Sequence, residues 1–164
     1  MHVLAEVFEG LETRYHNLID VVGKQFPATK VEYKNWKIFT FAEAVALLRE
    51  AGATHGDLED FATADELLLG KTIKEKYGTD FYAIDKFPTC VRPFYTMPDP
   101  VDSRYSNAYD IFLRGQEISS GAQRIHDADM LAKNAAAFGY RPFDFLFASD
   151  RHLAACFVGW LAGS

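Results

Sequence analysis

The chain has 164 residues, of which 49% are hydrophobic and 24% charged, and its formal net charge is -6. This composition predicts one globular domain with a sizeable core and excludes a disordered chain. The acidic balance argues against nonspecific attraction to nucleic acid or to anionic membranes, because both depend on clustered lysine and arginine.

Cysteine usage and the two chain ends indicate a cytoplasmic protein. Cys90 and Cys156 lie far apart and without C-x-x-C spacing, which excludes a disulfide framework and a thiolate zinc site. Glu6 and Glu9 stand where a secretory signal would need a basic start and an unbroken apolar run, so we expect no export signal. The apolar run at 153–163 is shorter than the roughly 20 residues of a spanning helix, so we expect no membrane anchor.

Hydrophobic periodicity predicts a first helix near the N-terminus, ended by Pro27. Apolar residues recur there at three- and four-residue steps, which is the spacing of a helix that buries one face. This apolar stripe consists of Leu4, Val7, Phe8, Leu11, Tyr15, Leu18 and Val22.

Two capping boxes predict where the next two helices begin. Thr40 is followed after three positions by Glu43, and Thr63 by Glu66. In such a box the threonine oxygen accepts from a backbone N–H of the first turn, and the glutamate accepts from the N–H of the capping residue. The second helix is expected to end at Gly78, in the left-handed conformation.

Aromatic and β-branched residues predict short strands in the rest of the chain. The predicted strands are 31–41, with a turn at 34–35, then 79–87, 90–97, 109–115 and 116–120. Asp127 is expected to cap a last helix, ADMLAKNAAAF, that Gly139 ends. Helices combined with an antiparallel sheet indicate an α+β fold.

The segment GQEISSGAQRIHD contains many polar and charged residues that could bind a ligand. Its two isoleucines are expected to anchor it in the core. On a helix, Glu117, Ser120 and Arg124 would share one face. On a strand, a kink or bulge at Gly121 would bring them to one side, and the β-rich neighbourhood favours this interpretation. With Asp110 on the preceding strand, the group is either the floor of a binding site or a buried arginine–carboxylate pair.

Three segments carry a family resemblance: FYAIDKFPTCVRPFYTMPDP, SNAYDIFLRG and QEISSGAQRIHD. They resemble the catalytic domain of aspartyl-tRNA synthetase of the archaeal and eukaryotic type, within the class II aminoacyl-tRNA synthetases. The resemblance implies a partial class II catalytic domain at 1–139, with an antiparallel sheet flanked by helices. We expect residues 140–164 to be a divergent C-terminal tail that does not match the family.

The resemblance implies an aspartate-tRNA ligase, which makes aspartyl-adenylate from L-aspartate and ATP and transfers the aspartyl group to tRNA. Glu117 and Asp110 match the positions that bind Mg²⁺ and, through it, ATP. Carboxylates suit this role, because Mg²⁺ prefers oxygen ligands. Ser120 matches a contact to aspartate, and Arg124 matches the residue that binds the aspartate side chain by paired hydrogen bonds. The resemblance assigns no residue of this chain a direct catalytic role.

Several parts of the family are not found in this sequence, so we expect it to be a fragment. They are the anticodon-binding domain through which tRNA is bound, the dimer motif of the family homodimer, an upstream arginine motif and a glycine-rich downstream segment. Three functions stay open: an enzyme that needs a second polypeptide, a module that retains aspartate or metal binding, and an inactive paralogue that interacts with a full-length synthetase.

Overall fold

The computed structural model describes residues 1–27 and 29–140, so the tail predicted at 140–164 lies outside the described residues except for Tyr140. The described residues contain five α-helices and four β-strands, in agreement with the predicted α+β class. None of these helices is long and apolar enough to cross a membrane. The described residues divide into two compact units: Met1–Asp85 with Tyr109–Ser120, and Lys86–Ala108 with 121–140.

The first unit begins with two helices, α1 (His2–Arg14) and α2 (His16–Gln25). The prediction of a single helix is wrong, because Tyr15 leaves the helical region with φ -123° and ψ 20°. Its N–H still donates to the carbonyl of Leu11 at 3.2 Å, and its own carbonyl accepts from the N–H of Ile19 at 3.1 Å. Helix-type hydrogen bonds therefore continue across the break, and the three- and four-residue spacing of apolar residues continues with them. This spacing gives no indication of the break at Tyr15.

The predicted burial of the apolar stripe is only partly correct. Phe8 packs against the rings of Tyr33 and Phe81, at centroid distances of 5.4 and 5.2 Å, and Leu4 joins this cluster. Neither helix contains a fully buried residue. The other members of the stripe are exposed in the part of the chain that the structure describes: Val7, Leu11, Tyr15, Leu18 and Val22.

The described residues form a four-stranded sheet with strand order β1-β2-β3-β4, in which β1 is Lys37–Thr40, β2 Phe81–Asp85, β3 Ala108–Leu113 and β4 Gln116–Ala122. β2 and β3 pair antiparallel, as predicted, whereas β1 pairs parallel to β2, which the sequence did not predict. The parallel pair arises because two helices, α3 (Phe41–Glu50) and α4 (Thr63–Tyr77), connect β1 to β2.

The alternation of side chains on β2 gives the sheet two different faces. Phe81 and Ala83 belong to the cluster that Phe8 of α1 joins. Tyr82 points to the opposite face and lies directly across from Phe112 of β3. The two rings stack with centroids 5.3 Å apart and planes at 10°. This second face carries the polar residues of the candidate site.

The first capping box is confirmed and fixes the start of α3. The Glu43 N–H donates to Thr40 Oγ1 at 3.3 Å, and the Thr40 N–H donates to Glu43 Oε2 at 2.7 Å. Upstream, the predicted strand at 31–41 shortens to β1, and the predicted turn at 34–35 is present. Gly78 ends α4 with φ 69° and ψ 22°, as predicted.

The second capping box is wrong. Thr63 is already the first residue of α4, and Ala62 is the capping residue. Asp65 supplies the carboxylate, because its Oδ2 accepts from the Ala62 N–H at 3.1 Å. Glu66 therefore has no capping role, and its side chain is available for other contacts.

The second unit contains a long irregular segment followed by one helix, α5 (Ala128–Ala137). The strand predicted at 90–97 is wrong: a short 3-10 turn covers Thr89–Val91, and only isolated bridges lie on either side of it in the described part of this segment. Pro93 gives a physical reason, since proline cannot donate a ladder hydrogen bond. These bridges pair Pro88 with Tyr105, Thr96 with Arg124 and Pro98 with Ser106.

The ends of α5 are as predicted. Asp127 Oδ1 accepts from the N–H of Met130 at 2.7 Å, which caps the first turn. Gly139 follows the helix with φ 83°, a conformation that glycine adopts without strain. Asn134 of α5 also donates to the carbonyl of Phe94 at 2.6 Å, which fastens the helix to the irregular segment of the same unit.

Candidate functional site

Glu117 and Asp110 lie on neighbouring strands of the first unit and share a face. Arg114 and Gly115, with φ 56° and 74°, form the two-residue turn that joins β3 to β4. Counting back along the antiparallel strands from this turn places Glu117 opposite Phe112, and so diagonally across from Asp110. Diagonal neighbours on one face are about 7–8 Å apart, which allows two carboxylates to reach a common ion.

The two carboxylates differ in their surroundings. Asp110 is only 5% exposed, because its strand lies inside the sheet between β2 and β4. Glu117 is exposed, because β4 is the last strand of the sheet in the described residues. The expected anchoring by isoleucine is wrong for Ile118, which is 44% exposed, and correct for Ile125, which is 3% exposed.

Helix α4 brings a third carboxylate, that of Glu66, towards this pair. Burial raises the pKa of Glu66, and the negative charges of Glu117 and Asp110 raise it further. The close approach depends on two glycines. A Cβ added to Gly70 would lie 2.5 Å from the Gly115 nitrogen, and a Cβ added to Gly115 would lie 2.7 Å from the Glu66 carbonyl oxygen.

The interior beside Glu66 is apolar. The side chain of Tyr82 is fully buried, and its hydroxyl has no hydrogen-bond partner among the described residues. Burial raises the pKa of Tyr82, and the charge of Glu66 adds to this effect. Negative charge near this face is therefore poorly solvated on its inner side, which favours a cation on its outer side.

Ser120 follows Glu117 on the same strand, and its side chain is exposed. The strand part of this interpretation is confirmed, since β4 runs from Gln116 to Ala122 without a helical turn. On a regular strand, residues three positions apart such as Glu117 and Ser120 point to opposite faces, so the bulge at Gly121 that would bring them to one side stays a prediction. Gly121 lies within β4, and its φ is not in the left-handed region. Among residues 1–27 and 29–140, no group of three or more His, Cys, Asp or Glu side chains is arranged to hold a metal alone.

Arg124 belongs to the second unit, where it forms an antiparallel bridge with Thr96. The carbon at the centre of its guanidinium group lies 4.9 Å from the centroid of the Tyr95 ring. Within the described residues of this unit, no carboxylate pairs with Arg124. Because Glu117 belongs to the first unit, the predicted meeting of Glu117 and Arg124 stays a prediction.

A second cation of the same unit, Lys86, is already neutralised. Its ammonium group pairs with the carboxylate of Asp99 and donates to Asn107 Oδ1 at 2.9 Å. Asn107 Nδ2 in turn donates to Gln123 Oε1 at 2.8 Å. The hydrogen bond from Lys86, with two backbone N–H groups, lowers the pKa of Asp99 to about 2.

The sequence matches the model of the family "tRNA synthetases class II (D, K and N)" over residues 1–151. The chain belongs to this family. Its resemblance to aspartyl-tRNA synthetases is confirmed by its sequence identity to the cytoplasmic aspartate-tRNA ligases of two animals. That of Caenorhabditis elegans is 54% identical over 134 residues, which are 81% of this chain and 25% of that protein. The human one is 49% identical over 137 residues, 83% of this chain and 27% of that protein.

Solved structures of class II synthetases share this fold. The aspartyl-tRNA synthetase of Entamoeba histolytica superposes with a TM-score of 0.86 at 45% identity, over 90% of this chain and 30% of that one. An asparaginyl-tRNA synthetase of Pyrococcus horikoshii, complexed with asparaginyl-adenylate, gives a TM-score of 0.61 at 25% identity, over 70% and 26% of the two chains. This class II synthetase chain thus spans about a quarter of the length of the aspartate ligases it matches.

The sequence analysis did not predict the contacts of three side chains of this class II synthetase chain: Glu66, Tyr95 and Lys86. Glu66 was assigned to a helix cap, a role that Asp65 has in the structure. Tyr95 and Lys86 gave no local signal, because their contacts with Arg124 and Asp99 join residues far apart in the sequence. The predicted residues Glu117 and Asp110 are brought to one face.

Proposed function

We propose that this chain supplies the amino-acid and metal floor of the aspartyl-adenylate site of an aspartate-tRNA ligase. Aspartate ligases that are about half identical to it support this proposal. The observation that carries it is the state of Arg124, whose guanidinium group rests on an aromatic ring and has no carboxylate partner in the described part of its unit. A guanidinium group held in this way suits a small carboxylate ligand.

The proposed ligand of Arg124 is the side-chain carboxylate of L-aspartate, with Ser120 as a further contact to the same molecule. Two parallel N–H groups of a guanidinium match two carboxylate oxygens. An asparagine substrate would turn an amide donor towards this cation, which we expect to cost about 2 to 5 kcal/mol. Selection of the acid over the amide would therefore depend chiefly on Arg124.

Glu117 and Asp110 are the residues that would hold Mg²⁺. The donor set fits, because Mg²⁺ usually takes one or two carboxylates and completes its shell with water and substrate phosphates. When bound, Mg²⁺ would offset the negative charge of the ATP phosphates during adenylate formation. Glu66 lies close enough to the pair that the negative charges of Glu117 and Asp110 add to the effect of burial in raising its pKa.

The remaining features of the whole ligase are proposed for the longer protein to which such a chain corresponds. They comprise tRNA binding, homodimer formation and a cytoplasmic location, the last supported by the names of the relatives. Residues 1–139 would form the partial catalytic domain, and 140–164 a divergent tail, although the match to the family model extends to residue 151. Transfer of the aspartyl group to tRNA would need the parts of the family that lie outside this sequence.

Pyrophosphate exchange into ATP with a chimera tests this function. Residues 1–139 replace the matching segment of the Caenorhabditis elegans aspartate ligase, and we expect aspartate-dependent exchange from the chimera but none from the chain alone. Glu117→Gln should abolish exchange, and Arg124→Lys should raise KM for aspartate more than it lowers kcat. Glu75→Gln, on the exposed face of α4, is the control. A folded chimera without exchange would overturn the proposal.

A second candidate function is interaction with a full-length aspartate-tRNA ligase. The observation that favours it is the run of exposed apolar side chains on α1 and α2, among them Leu18 and Val22 at 57% exposure each. Co-purification of the tagged chain with a full-length ligase tests it. Substitution of both residues by glutamine should abolish the association, and its absence for the unchanged chain would exclude this function.

A further inference from the structure

In the second unit Tyr95 contacts Arg124. The family resemblance assigns a role to Arg124 but none to Tyr95. We propose that Tyr95 is a positioning residue for Arg124: its ring holds the guanidinium group so that the edge with the N–H donors stays available for a carboxylate. The proposal rests on the proposed function of Arg124 as an aspartate-binding residue. It adds a residue that does not itself touch the ligand.

The backbone fixes the two residues relative to each other. The N–H of Ile125 donates to the carbonyl of Tyr95 at 2.9 Å, and the N–H of Met97 donates to the carbonyl of Gln123 at 2.9 Å. These bonds lie on either side of the bridge between Thr96 and Arg124. The two segments therefore cannot slip past each other without loss of both bonds, so the ring stays beside the arginine.

A third segment supports the same place. The N–H of Asn107 donates to the carbonyl of Met97 at 2.9 Å, and the N–H of Gln123 donates to the carbonyl of Asn107 at 2.8 Å. The side chain of Asn107 is held in turn by Lys86 and Gln123. Three segments of the second unit thus meet around Arg124, and the ring contact forms on a well-bonded backbone.

The contact uses the face of the ring, with 4.9 Å between the guanidinium carbon and the ring centroid. A cation over an aromatic face is attracted by the negative charge of the π system. Arginine otherwise has considerable rotamer freedom, and each ordered rotor costs binding energy. A ring that orders the guanidinium group in advance removes part of this cost, which we expect to improve carboxylate affinity about 2-fold to 30-fold.

Two substitutions, one that removes only the hydroxyl and one that removes the whole ring, test the proposal on the full chain. Tyr95→Phe keeps the ring face, and Tyr95→Leu removes it. The side-chain Nε–H resonance of Arg124, identified by its loss in Arg124→Lys, reports the ring-current shift of the stacked group. We expect Tyr95→Phe to retain this shift and Tyr95→Leu to lose it. Tyr105→Leu, which removes a ring 5.8 Å from the guanidinium group of Arg104, should leave the Arg124 resonance unchanged.

Calorimetric titration with L-aspartate supplies the second measurement. Tyr95→Leu should weaken binding about 2-fold to 30-fold, and Tyr95→Phe should bind like the unchanged chain. An unchanged Arg124 resonance in a folded Tyr95→Leu variant would overturn the positioning role. Absence of aspartate binding by the unchanged chain, with the ring-current shift lost in Tyr95→Leu, would overturn the proposed ligand and leave the positioning role supported.

Discussion

The ammonium group of Lys86 and the carboxylate of Asp99 form an ion pair from which a directed series of hydrogen bonds begins. An ammonium group only donates, so the oxygen of the Asn107 side chain has to face it. The Asn107 amide nitrogen then donates to the oxygen of Gln123. One charge therefore sets the orientation of two side-chain amides, and the second amide belongs to the residue before Arg124.

Replacement of Lys86 by methionine tests this arrangement through its pH dependence. The pKa of Asp99 is about 2 in the folded chain, below its ordinary value of 3.8. A carboxylate with a lowered folded pKa stabilises the fold above its unfolded pKa and loses this effect as the pH falls through the folded value. We expect Lys86→Met to lower the urea midpoint at pH 7, with a difference that shrinks between about pH 4 and pH 2.

The control for this measurement is Lys71→Met, which removes an exposed pair with Glu75 at 3.9 Å. Exposed pairs of this kind contribute little to stability, so its midpoint should stay close to that of the unchanged chain. Equal effects of the two substitutions at pH 7 would contradict the role assigned to Lys86 and Asp99.

Replacement of Glu66 by glutamine should stabilise the chain at neutral pH. The folded pKa of Glu66 is raised, so its ionised form is disfavoured in the folded state, and the cost is present as the pH rises above that pKa. Glu66→Gln removes the repulsion from Glu117 and Asp110, and the urea midpoint at pH 7 should increase. Below about pH 4, where the glutamate is protonated in both states, the difference should vanish.

Glu75→Gln is again the matched change, on an exposed position of the same helix. It should leave the midpoint nearly unchanged at both pH values. A lower midpoint for Glu66→Gln at pH 7 would mean that the carboxylate has a stabilising partner and that the repulsion inferred from its pKa is not the dominant effect.

Replacement of Gly70 by alanine should destabilise the first unit by about 1–3 kcal/mol. The new Cβ would lie 2.5 Å from one backbone atom of Gly115 and 2.6 Å from another, and backbone atoms cannot rotate away. Gly23→Ala in α2 is the control, because nothing lies within 4 Å of the added carbon. That change should stabilise by about 0.5–1 kcal/mol, and thermal unfolding of both variants measures the contrast.

The two predicted capping boxes give a direct comparison. Thr40→Ala should cost about 1 kcal/mol, since Thr40 Oγ1 accepts from the Glu43 N–H. Thr63→Ala should cost less than half as much, because Thr63 lies inside α4 and has no capping bond. Chemical denaturation of both variants checks this, and a loss at Thr63 as large as that at Thr40 would place the start of α4 where the sequence predicted it.

The features that sequence predicted best are those determined by a few adjacent residues. The box at Thr40 and Glu43, the cap at Asp127 and the glycine stops at Gly78 and Gly139 all appear in the structure. Each depends on a side chain or a backbone freedom that acts within one helical turn. Their chemistry is therefore complete in a short stretch of sequence.

The errors concern partners that lie far away in the chain. Residues 90–97 have the composition of a strand, but isolated bridges occupy the place of a ladder, and Pro93 withholds a donor. The break between α1 and α2 at Tyr15 could not be predicted, because no glycine or proline stands at or next to this position. The pairing of β1 with β2 is parallel because of the helices between them, which a strand pattern does not encode.

In the candidate site, too, the features set by adjacent residues were predictable, and those set by distant contacts were not. The hairpin that carries Asp110 and Glu117 was predictable from the two strand patterns around Gly115, and the turn gives their common face. The approach of Glu66 depends on the packing of α4 against that turn, and the stacking of Tyr95 on Arg124 depends on a bridge across more than twenty residues. Neither contact leaves a local pattern.

The touching backbones at Gly70 and Gly115 also determine where this molecule accepts a label. A fluorophore or an inserted peptide at the β3–β4 hairpin would have to separate two main chains that meet without side chains between them. The side chain of Val101, which is 94% exposed in an irregular segment, can carry a fluorophore without such a separation of main chains. Reporter groups for distance or binding measurements therefore belong at Val101, and the hairpin should be left unmodified.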